Sequence, residues 1–307
     1  MTKPEIAIMI EGQMGLNWPR WKRIARAVED LGFVGLYRSD HFVNPDPPDQ
    51  DSLELWMSLA WLADHTERIA FGPLVTPVSF RHPAMTARMA SAVDDLSGGR
   101  LTLGVGAGWQ EREHHNYSYD LLKGSGERFD RFEEALHVLT GLLRSGEPVT
   151  FEGAYYRFYD AVLLPRPARP GGPPILIGGN GPERTLPMVA RFADEWNAVF
   201  VTASRFAELN ALLDDLLRAE GRAPDAVRRS LMTGLVFGRT DGDLRQKLSD
   251  AGAERDDLTG RGMVVGTPSE VVEQVERLGE AGVQRVMLQW LALDDLDGLE
   301  AFAHAAL

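Results

Sequence analysis

The amino-acid sequence predicts a (β/α)8 TIM barrel, in which a ring of parallel strands is surrounded by helices. Short apolar runs alternate with segments of helical spacing, and eight such runs occur outside one hairpin, near residues 6, 33, 69, 100, 175, 196, 231 and 283. The length of 307 residues suits a barrel of this kind, which needs about 250 residues. No linker divides the chain, so we expect one domain over residues 1–307, with a doubly wound open sheet as the alternative fold.

The first half of the chain contains four strand–helix units. Gly32 is a stop for the first helix, Ser52 is the predicted N-cap of the second, and Pro83 opens the third. The strands are predicted over Ile6–Ile10, Phe33–Tyr37, Ile69–Val75 and Arg100–Val105, and the helices over Trp18–Leu31, Ser52–Thr66, Pro83–Leu96 and Arg128–Arg144.

The stretch "VTFEGAYYRFYDAVLL", residues 149–164, interrupts this alternation. Gly153 separates two β-prone runs and predicts an inserted hairpin, and "PRPARPGGPP" follows as an extended linker. Beyond it the strands are predicted over Ile175–Ile177, Trp196–Val201, Leu231–Phe237 and Val283–Gln289, and the helices over Glu183–Phe192, Ser204–Ala219, Pro268–Ala281 and Leu296–Ala306.

The composition narrows the class of protein. A net charge of -13 argues against nucleic acid and anionic membranes as partners. The chain has no cysteine, which excludes disulfides, thiolate catalysis and cysteine-ligated zinc, and we expect no metal site. The first residues lack the apolar core of a signal peptide and no window approaches 18 apolar residues, so we expect a cytoplasmic protein with no membrane partner.

The motif "SDHF" places Asp40 and His41 where the second strand ends. In a (β/α)8 barrel the chemistry gathers at the C-terminal ends of the strands. His41 is therefore the candidate for proton exchange near neutral pH, and Asp40 the candidate to orient it. The structural alternative is that Asp40 caps a turn while His41 packs on Phe42.

Gly104, Gly106 and Gly108 lie close together at the end of the fourth strand, in "LTLGVGAGWQ". Their spacing, from Gly104 to Gly108, lacks the sixth-position glycine of a dinucleotide fingerprint. Gly106, Ala107 and Gly108 would instead let the backbone approach a flat ring. Trp109 follows directly and either lines the pocket or serves as packing.

The stretch "EREHH", residues 111–115, invites a metal-site interpretation. His114 and His115 are adjacent and point to different sides of a helix, so they fit poorly as a chelating pair. We therefore expect a solvated helix face here.

A glycine-rich turn, Gly178-Gly179-Asn180-Gly181, follows the fifth strand. A helix is predicted to begin at Pro182 or Glu183, and free N–H groups at such a helix start can bind a phosphate without lysine. The structural alternative is a tight turn that needs positive φ.

The third strand ends in "LVTPVSFRHP", residues 74–83. Where the chain leaves this strand, its backbone can lie against a cofactor ring, which makes Leu74, Val75 and Thr76 candidate contacts. Arg81 would bind an anion or pair with an acid, and the sequence leaves both readings open.

The chain resembles the luciferase-like superfamily of flavin- and deazaflavin-dependent oxidoreductases. The similarity covers most of the chain in the order of the family, and no single motif would establish it. The matching stretches are "SDHF" (39–42), "TERIAFGPLVTPVSFRHPAMTARMASAVDDLSGGRLTLGVGAGWQEREH" (66–114), "GERFDRFEEALHVL" (126–139), "ILIGGNGPERTLPMVARFADEWN" (175–197) and "GTPSEVVEQVERLGEAGVQRVMLQ" (266–289).

The resemblance implies a barrel with an insertion and a flavin or deazaflavin ring at its mouth. The ring would lie near Asp40, His41, the bulge Leu74-Val75-Thr76, which is often a non-prolyl cis peptide in the family, and Gly106-Ala107-Gly108. The phosphate would lie at Gly178-Gly179-Asn180-Gly181. The family also favours a homodimer, and the apolar excess of the helix at 52–66 is compatible with a subunit interface or with deep packing.

The Asp-His pair is similar to the pattern of the branch that uses coenzyme F420, which implies hydride transfer with a small or medium organic substrate. Sugar-phosphate dehydrogenases of that branch have a glutamate where this chain has Trp109, which puts a sugar phosphate in doubt. An FMN-dependent monooxygenase working with a separate flavin reductase is the alternative. A flavin carrier without turnover is a third possibility.

Overall fold

The computed structural model describes residues 3–307, which form a parallel barrel surrounded by helices. The strands are β1 (Glu5–Ile10), β2 (Gly35–Arg38), β3 (Ala70–Pro73), β4 (Thr76–Pro77), β5 (Leu103–Gly106), β6 (Val149–Glu152), β7 (Arg157–Ala161), β8 (Ile175–Gly178), β9 (Glu195–Val199), β10 (Arg228–Phe237), β11 (Val264–Gly266) and β12 (Arg285–Gln289). The helices are α1 (Trp18–Leu31), α2 (Leu55–His65), α3 (Pro83–Leu96), α4 (Glu111–Asn116), α5 (Ser125–Arg144), α6 (Thr185–Phe192), α7 (Ala203–Ala219), α8 (Asp241–Asp250), α9 (Arg255–Gly260), α10 (Pro268–Glu280) and α11 (Leu296–Ala306), with a 3-10 turn at Pro224–Ala226.

The barrel closes through the third and fourth strand positions. The sheet runs β3-β2-β1-β12-β10-β9-β8-β5-β4, and all of these pairings are parallel. The Phe71 N–H donates to Arg100 O at 3.1 Å and the Thr102 N–H to Phe71 O at 2.8 Å, which joins β3 to the start of β5. Because β3 and β4 are two parts of one barrel strand, separated by a cis peptide between Leu74 and Val75, the ring has eight positions. The predicted barrel is confirmed over the open sheet.

Strand β1 shows how the sequence builds two layers of core. Its side chains alternate, as they must along a strand. Ile6, Ile8 and Ile10 belong to the large core cluster shared with the helices. Ala7 and Met9 belong to a second, smaller cluster, whose other buried members are Tyr37, Leu74, Leu176, Met232 and Met287. These inner side chains fill the barrel, so a ligand is confined to its mouth.

The inserted hairpin consists of β6 and β7, as predicted. The strands are antiparallel, with Val149 opposite Ala161, and Gly153 donates to Tyr156 O at 2.9 Å across the turn. The Glu134 carboxylate of α5 accepts three backbone N–H groups of this turn, from Ala154, Tyr155 and Tyr156. This carboxylate anchors the hairpin on the barrel wall.

Three predicted helix starts differ from the structure by two or three residues, and that of α7 differs by one, at Ala203 instead of Ser204. Helix α2 begins at Leu55, because the Glu54 carboxylate accepts the Met57 N–H at 2.7 Å and is the true N-cap. Ser52, the predicted cap, instead donates its hydroxyl to His41 O at 2.6 Å. Helix α5 begins three residues early, at Ser125, and α6 begins at Thr185 instead of Glu183.

Three elements were not predicted from the sequence: α8, α9 and β11. Helix α9 spans six residues and β11 only three, too few for a periodic apolar pattern to emerge. Within residues 3–307, no helix has both the length and the apolar character that crossing a membrane requires.

Candidate active site

A cavity of about 410 Å³ opens at the C-terminal ends of the barrel strands. Its lining is mostly apolar, with a few polar groups converging on it. The lining residues are Met9, Glu11, Ser39, His41, Leu74, Val75, Pro77, Gly108, Trp109, Glu113, Gly178, Gly179, Asn197, Val199, Phe200 and Met232. A depression of about 450 Å³ lies further out, between α7, α9 and α10, but Arg255 there is paired with Glu270 at 3.0 Å. We place the site in the first cavity, because polar groups at strand ends converge there.

His41 and Glu113 form the central polar pair of the cavity. His41 Nδ1 lies 2.8 Å from Glu113 Oε1, and the Phe42 N–H donates to Glu113 Oε2 at 3.1 Å. Glu113 is only 1% exposed, so its carboxylate is fixed. With the Nδ1 proton directed at Glu113, His41 Nε2 is left without a hydrogen-bond partner among residues 3–307.

Glu113 also sets the protonation of His41. Burial lowers the pKa of His41, but the hydrogen bond and the charge of Glu113 outweigh it, and the net pKa is raised above its usual 6.5. Smaller increases come from the charges of Glu11 and Asp40. The carboxylates around His41 therefore favour the charged form of its imidazole.

The prediction of a solvated face for "EREHH" is wrong. Glu113 and His114 are buried, and only Glu111 and His115 are exposed at the two sides. The His114 ring lies 2.7 Å from both Gln110 O and Ser79 Oγ and packs at 4.9 Å from the ring of Phe80. The cause is tertiary, because α4 packs on the segments that follow β2 and β4, where it contacts His41 and Ser79.

Helix α4 also holds the proline-rich loop at residues 43–51. The Arg112 guanidinium donates to Asn44 O at 2.7 Å and forms an ion pair with Asp49 at 2.7 Å. At the N-cap of the same helix, the Gln110 amide donates to Val43 O at 2.9 Å. One helix thus positions both the His41 partner and the loop beside the cavity.

Asp40 lies behind the cavity instead of beside His41. Its carboxylate accepts the Thr76 hydroxyl at 2.7 Å and forms an ion pair with Arg81. Arg81 also contacts Glu54 at 3.0 Å, so the open question about Arg81 resolves in favour of pairing with acids. The orienting role that the sequence assigned to Asp40 belongs to Glu113 by geometry.

Trp109 lines the cavity and is not a packed core residue. It is 60% exposed, and its ring meets the His41 imidazole edge-on at a centroid distance of 5.4 Å. An aromatic side chain so exposed at a cavity mouth is available to contact a ligand.

Val75 and Gly178 lie side by side in one wall of the cavity. A Cβ at Gly106 would lie 2.7 Å from Val75 Cγ2, and one at Gly178 would lie 3.3 Å from Val75 Cγ1. The Val75 side chain therefore fills the space beside these glycines. Gly106 and Gly178 thus make room for Val75, while Gly108, Gly178 and Gly179 are the glycines that line the cavity.

The chain is matched over residues 6–255 by the model of one protein family, described as luciferase-like monooxygenase. The chain belongs to the luciferase-like family. A monooxygenase is an oxidoreductase, and the superposition given below shows that the barrel is shared with a solved oxidoreductase.

Among curated relatives of this luciferase-like chain is an F420-dependent hydroxymycolic acid dehydrogenase of Mycobacterium tuberculosis. It is 35% identical over 57% of the chain, and the match spans about half, 47%, of that relative. An F420-dependent glucose-6-phosphate dehydrogenase of Intrasporangium calvum is 28% identical over 90% of both chains. A solved F420-dependent secondary alcohol dehydrogenase, in complex with an F420-acetone adduct, superposes with a TM-score of 0.86, at 19% identity, over 99% of this chain and 98% of that one.

The glycine-rich turn of this luciferase-like barrel, at residues 178–181, has the positive φ of a tight turn at Gly179, and the phosphate contact stays a prediction. Gly179 has a φ of 127°, as the tight turn requires, and its N–H donates to Asn197 O at 2.9 Å. The Asn180 side chain is turned to the neighbouring strand, where it bonds Val199 O at 2.7 Å and Val199 N at 2.9 Å. Helix α6 has no side-chain cap, so its first N–H groups are free of that competitor.

Besides Glu113, two polar residues of the luciferase-like site were not found from the sequence. Asn197, on β9, is 1% exposed, and its Oδ1 has no hydrogen-bond partner although its Nδ2 donates to Ser230 Oγ at 2.9 Å. Glu11 follows β1 directly. Glu11 is marked in the sequence only by its position after a strand, and Asn197, in the middle of β9, has no such mark.

Proposed function

We propose that the chain is a coenzyme F420-dependent oxidoreductase that transfers a hydride between the deazaflavin and a small or medium organic substrate. The observation that carries the proposal is the buried Glu113–His41 pair, which opens onto a mostly apolar cavity at the strand ends. The curated relatives, which are named as F420-dependent dehydrogenases, support it.

The cavity fits a flat heterocycle. It is mostly apolar, with a volume of about 410 Å³, and the unpartnered Asn197 Oδ1 is an acceptor for a ring N–H. A buried acceptor without a donor is costly, so a ligand that supplies the donor gains affinity. When bound, the deazaflavin supplies two-electron hydride chemistry.

The protein contributes proton transfer at His41. As an alcohol is oxidised, its C–H leaves as hydride, and His41 Nε2 accepts the hydroxyl proton; in the reverse direction Nε2 returns that proton to the carbonyl oxygen. Glu113 accepts the Nδ1 hydrogen bond throughout and stabilises the imidazolium. Trp109, above this imidazole, contacts the substrate.

The remaining predicted contacts complete the cofactor site. We assign the ring to Leu74, Val75 and the segment 106–108, with Asp40 and Thr76 supporting the bulge through their hydrogen bond. The phosphate is assigned to the backbone of the turn at residues 178–181, where Asn180 holds the turn against β9.

A binding titration tests the cofactor. Tryptophan fluorescence of the apoprotein is followed as F420 or FMN is added, since Trp109 borders the cavity. We expect F420 to bind at least about tenfold more tightly than FMN, a difference of about 1.4 kcal/mol. The Trp109→Phe variant is the control for the fluorescence signal, and its cofactor binding is followed by calorimetry.

Tighter binding of FMN would overturn the proposal in favour of the second candidate, an FMN-dependent monooxygenase with a separate reductase. The description of the family as luciferase-like monooxygenase supports that alternative. Oxygen consumption in the presence of a flavin reductase would then be the assay.

We further infer a homodimer formed through α2 and α3. Most of the apolar excess of α2 is core packing, since Leu55, Trp56, Leu59 and Leu62 are buried. Met57 on α2 and Met85 on α3 remain 60% and 51% exposed, and the two helices are in contact. Sedimentation velocity should give a species with twice the chain mass of 34.0 kDa. A single species with the mass of one chain would contradict the inference.

A further inference from the structure

A serine and a histidine outside the Glu113–His41 pair form a second polar contact at the rim of the cavity. Ser79 Oγ lies 2.7 Å from His114 Nε2, and His114 Nδ1 lies 2.7 Å from the carbonyl oxygen of Gln110. A carbonyl oxygen only accepts hydrogen bonds, so Nδ1 carries the proton of the neutral imidazole and Nε2 is an acceptor. The Ser79 hydroxyl therefore donates to His114.

The imidazole of His114 is enclosed and held in one orientation. The residue is only 2% exposed, and the rings of Phe80 and Tyr119 lie at centroid distances of 4.9 and 6.5 Å from it. Burial lowers the pKa of His114 below the usual 6.5, so its neutral form persists at neutral pH. A neutral imidazole with a fixed tautomer is the state that accepts a proton from a hydroxyl group.

Ser79, unlike the histidine behind it, is partly exposed. A Cβ built at Gly108 would lie 3.0 Å from Ser79 Oγ, 3.2 Å from Leu121 Cδ1 and 3.4 Å from Pro77 Cβ. The missing side chain of Gly108 therefore leaves a small space against the hydroxyl. Pro77 and Gly108 also line the main cavity, so a substrate that enters the cavity comes next to Ser79.

The backbone beside Ser79 provides hydrogen-bond donors. Among residues 3–307, the N–H groups of Ser79, Gly108 and Trp109 make no backbone–backbone hydrogen bond. Donors of this kind stabilise the oxyanion that forms when a hydroxyl group attacks a carbonyl carbon. A hydroxyl, a general base whose second nitrogen is fixed, and nearby N–H donors are the groups that acyl transfer requires.

We propose that Ser79 and His114 form an acyl-transfer site for small carboxylic esters, with Ser79 as the nucleophile and His114 as the general base. Ser79 Oγ forms a bond to the carbonyl carbon, and its proton passes to His114 Nε2. The bond from that carbon to the alkoxy oxygen breaks, and the leaving alcohol takes the proton. Water then attacks the acyl-serine and gives a proton to His114, which returns it to Ser79 Oγ as the acid leaves. The cycle involves no oxidation or reduction, so it does not rest on the proposed hydride transfer.

Two assays on the full chain test the proposal. Hydrolysis of p-nitrophenyl acetate measures the esterase reaction, and phenylmethanesulfonyl fluoride labels an activated serine, which peptide mass spectrometry then locates. We expect the wild type to be labelled at Ser79. Ser79→Ala should lose this label and hydrolyse the ester at least about 10²-fold more slowly, the lower end of what a positioned general base contributes.

Two further variants isolate the base and the serine. His114→Gln keeps a polar side chain but removes the proton acceptor, so Ser79 should be labelled far more slowly although it is still present. Ser125→Ala removes an exposed serine at the start of α5 and should keep the wild-type label and rate. Thermal melts establish that each variant is folded.

The inference is overturned if the folded wild type carries no label on Ser79, or if Ser79→Ala hydrolyses the ester at the wild-type rate. It is also overturned if folded His114→Gln is labelled at Ser79 as fast as the wild type, because Ser79 then needs no base. Should His114→Gln fail to fold, the wild-type label and Ser79→Ala decide the question. Failure of F420 to bind the wild type would overturn the proposed oxidoreductase function and leave the acyl-transfer site untouched.

Discussion

Replacing His41 by alanine should lower kcat with F420 by about 10³-fold, within the range that a positioned acid or base contributes. The reason is geometric, because Glu113 holds Nδ1 at 2.8 Å and leaves Nε2 as the one nitrogen free to exchange a substrate proton. The F420 dissociation constant should change by no more than about threefold, a difference of less than 1 kcal/mol. Single-turnover hydride transfer, followed by the deazaflavin absorbance, separates the chemical step from binding.

The matched control for this substitution is His115→Ala, an exposed histidine on the adjacent helix. It should retain wild-type kcat and cofactor affinity. Full turnover by His41→Ala with cofactor bound normally would remove His41 from the chemistry. A large loss of F420 affinity with little change in the single-turnover rate would make it a cofactor contact.

Replacing Glu113 by glutamine should lower kcat by on the order of 10²-fold and shift the pH profile. Glu113 raises the pKa of His41, while burial alone would lower it. For alcohol oxidation His41 must be neutral, so activity rises with pH through its raised pKa, and this limb should move to lower pH in the variant. In carbonyl reduction His41 must be protonated, so the falling limb should also move to lower pH.

The measurement is kcat/KM against pH in both directions, because this parameter reports groups of the free enzyme. Glu113→Asp, which keeps the charge on a shorter side chain, should restore part of the shift. An unchanged profile in Glu113→Gln would show that the limb belongs to another group. The stability of the folded chain also depends on this group. Because the pKa of His41 is raised on folding, it stabilises the folded chain below pH 6.5, and this contribution is lost as pH rises through the raised value.

The barrel was predictable because it depends on repeated local patterns. Each barrel strand is a short buried run bounded by turn residues, and that pattern survives in the sequence at all eight positions. Helix starts were less predictable, because several residues compete as caps. Ser52 and Glu54 are both plausible by type, and only the tertiary bond from Ser52 to His41 O decides between them.

Some residues of the candidate site were predictable from local patterns, and others were not. His41 was predictable because it follows a buried strand, and strand ends meet at the barrel mouth. Glu113 was missed because the six residues of α4 are all polar, and polar helices are usually solvated. Its burial comes from the elements beneath the helix, which no local pattern records. Asn197 was missed because its unsatisfied oxygen exists only in three dimensions.

The position of α4 has a consequence for how such barrels diversify. Arg112 and Gln110 hold the loop at residues 43–51, while Glu113 on the same helix holds His41. A new loop grafted without its helix would lose these attachments, and a new helix would disturb the imidazole. The loop and α4 therefore form one exchangeable module, and recombination between members should preserve them together even though about 60 residues separate them along the chain.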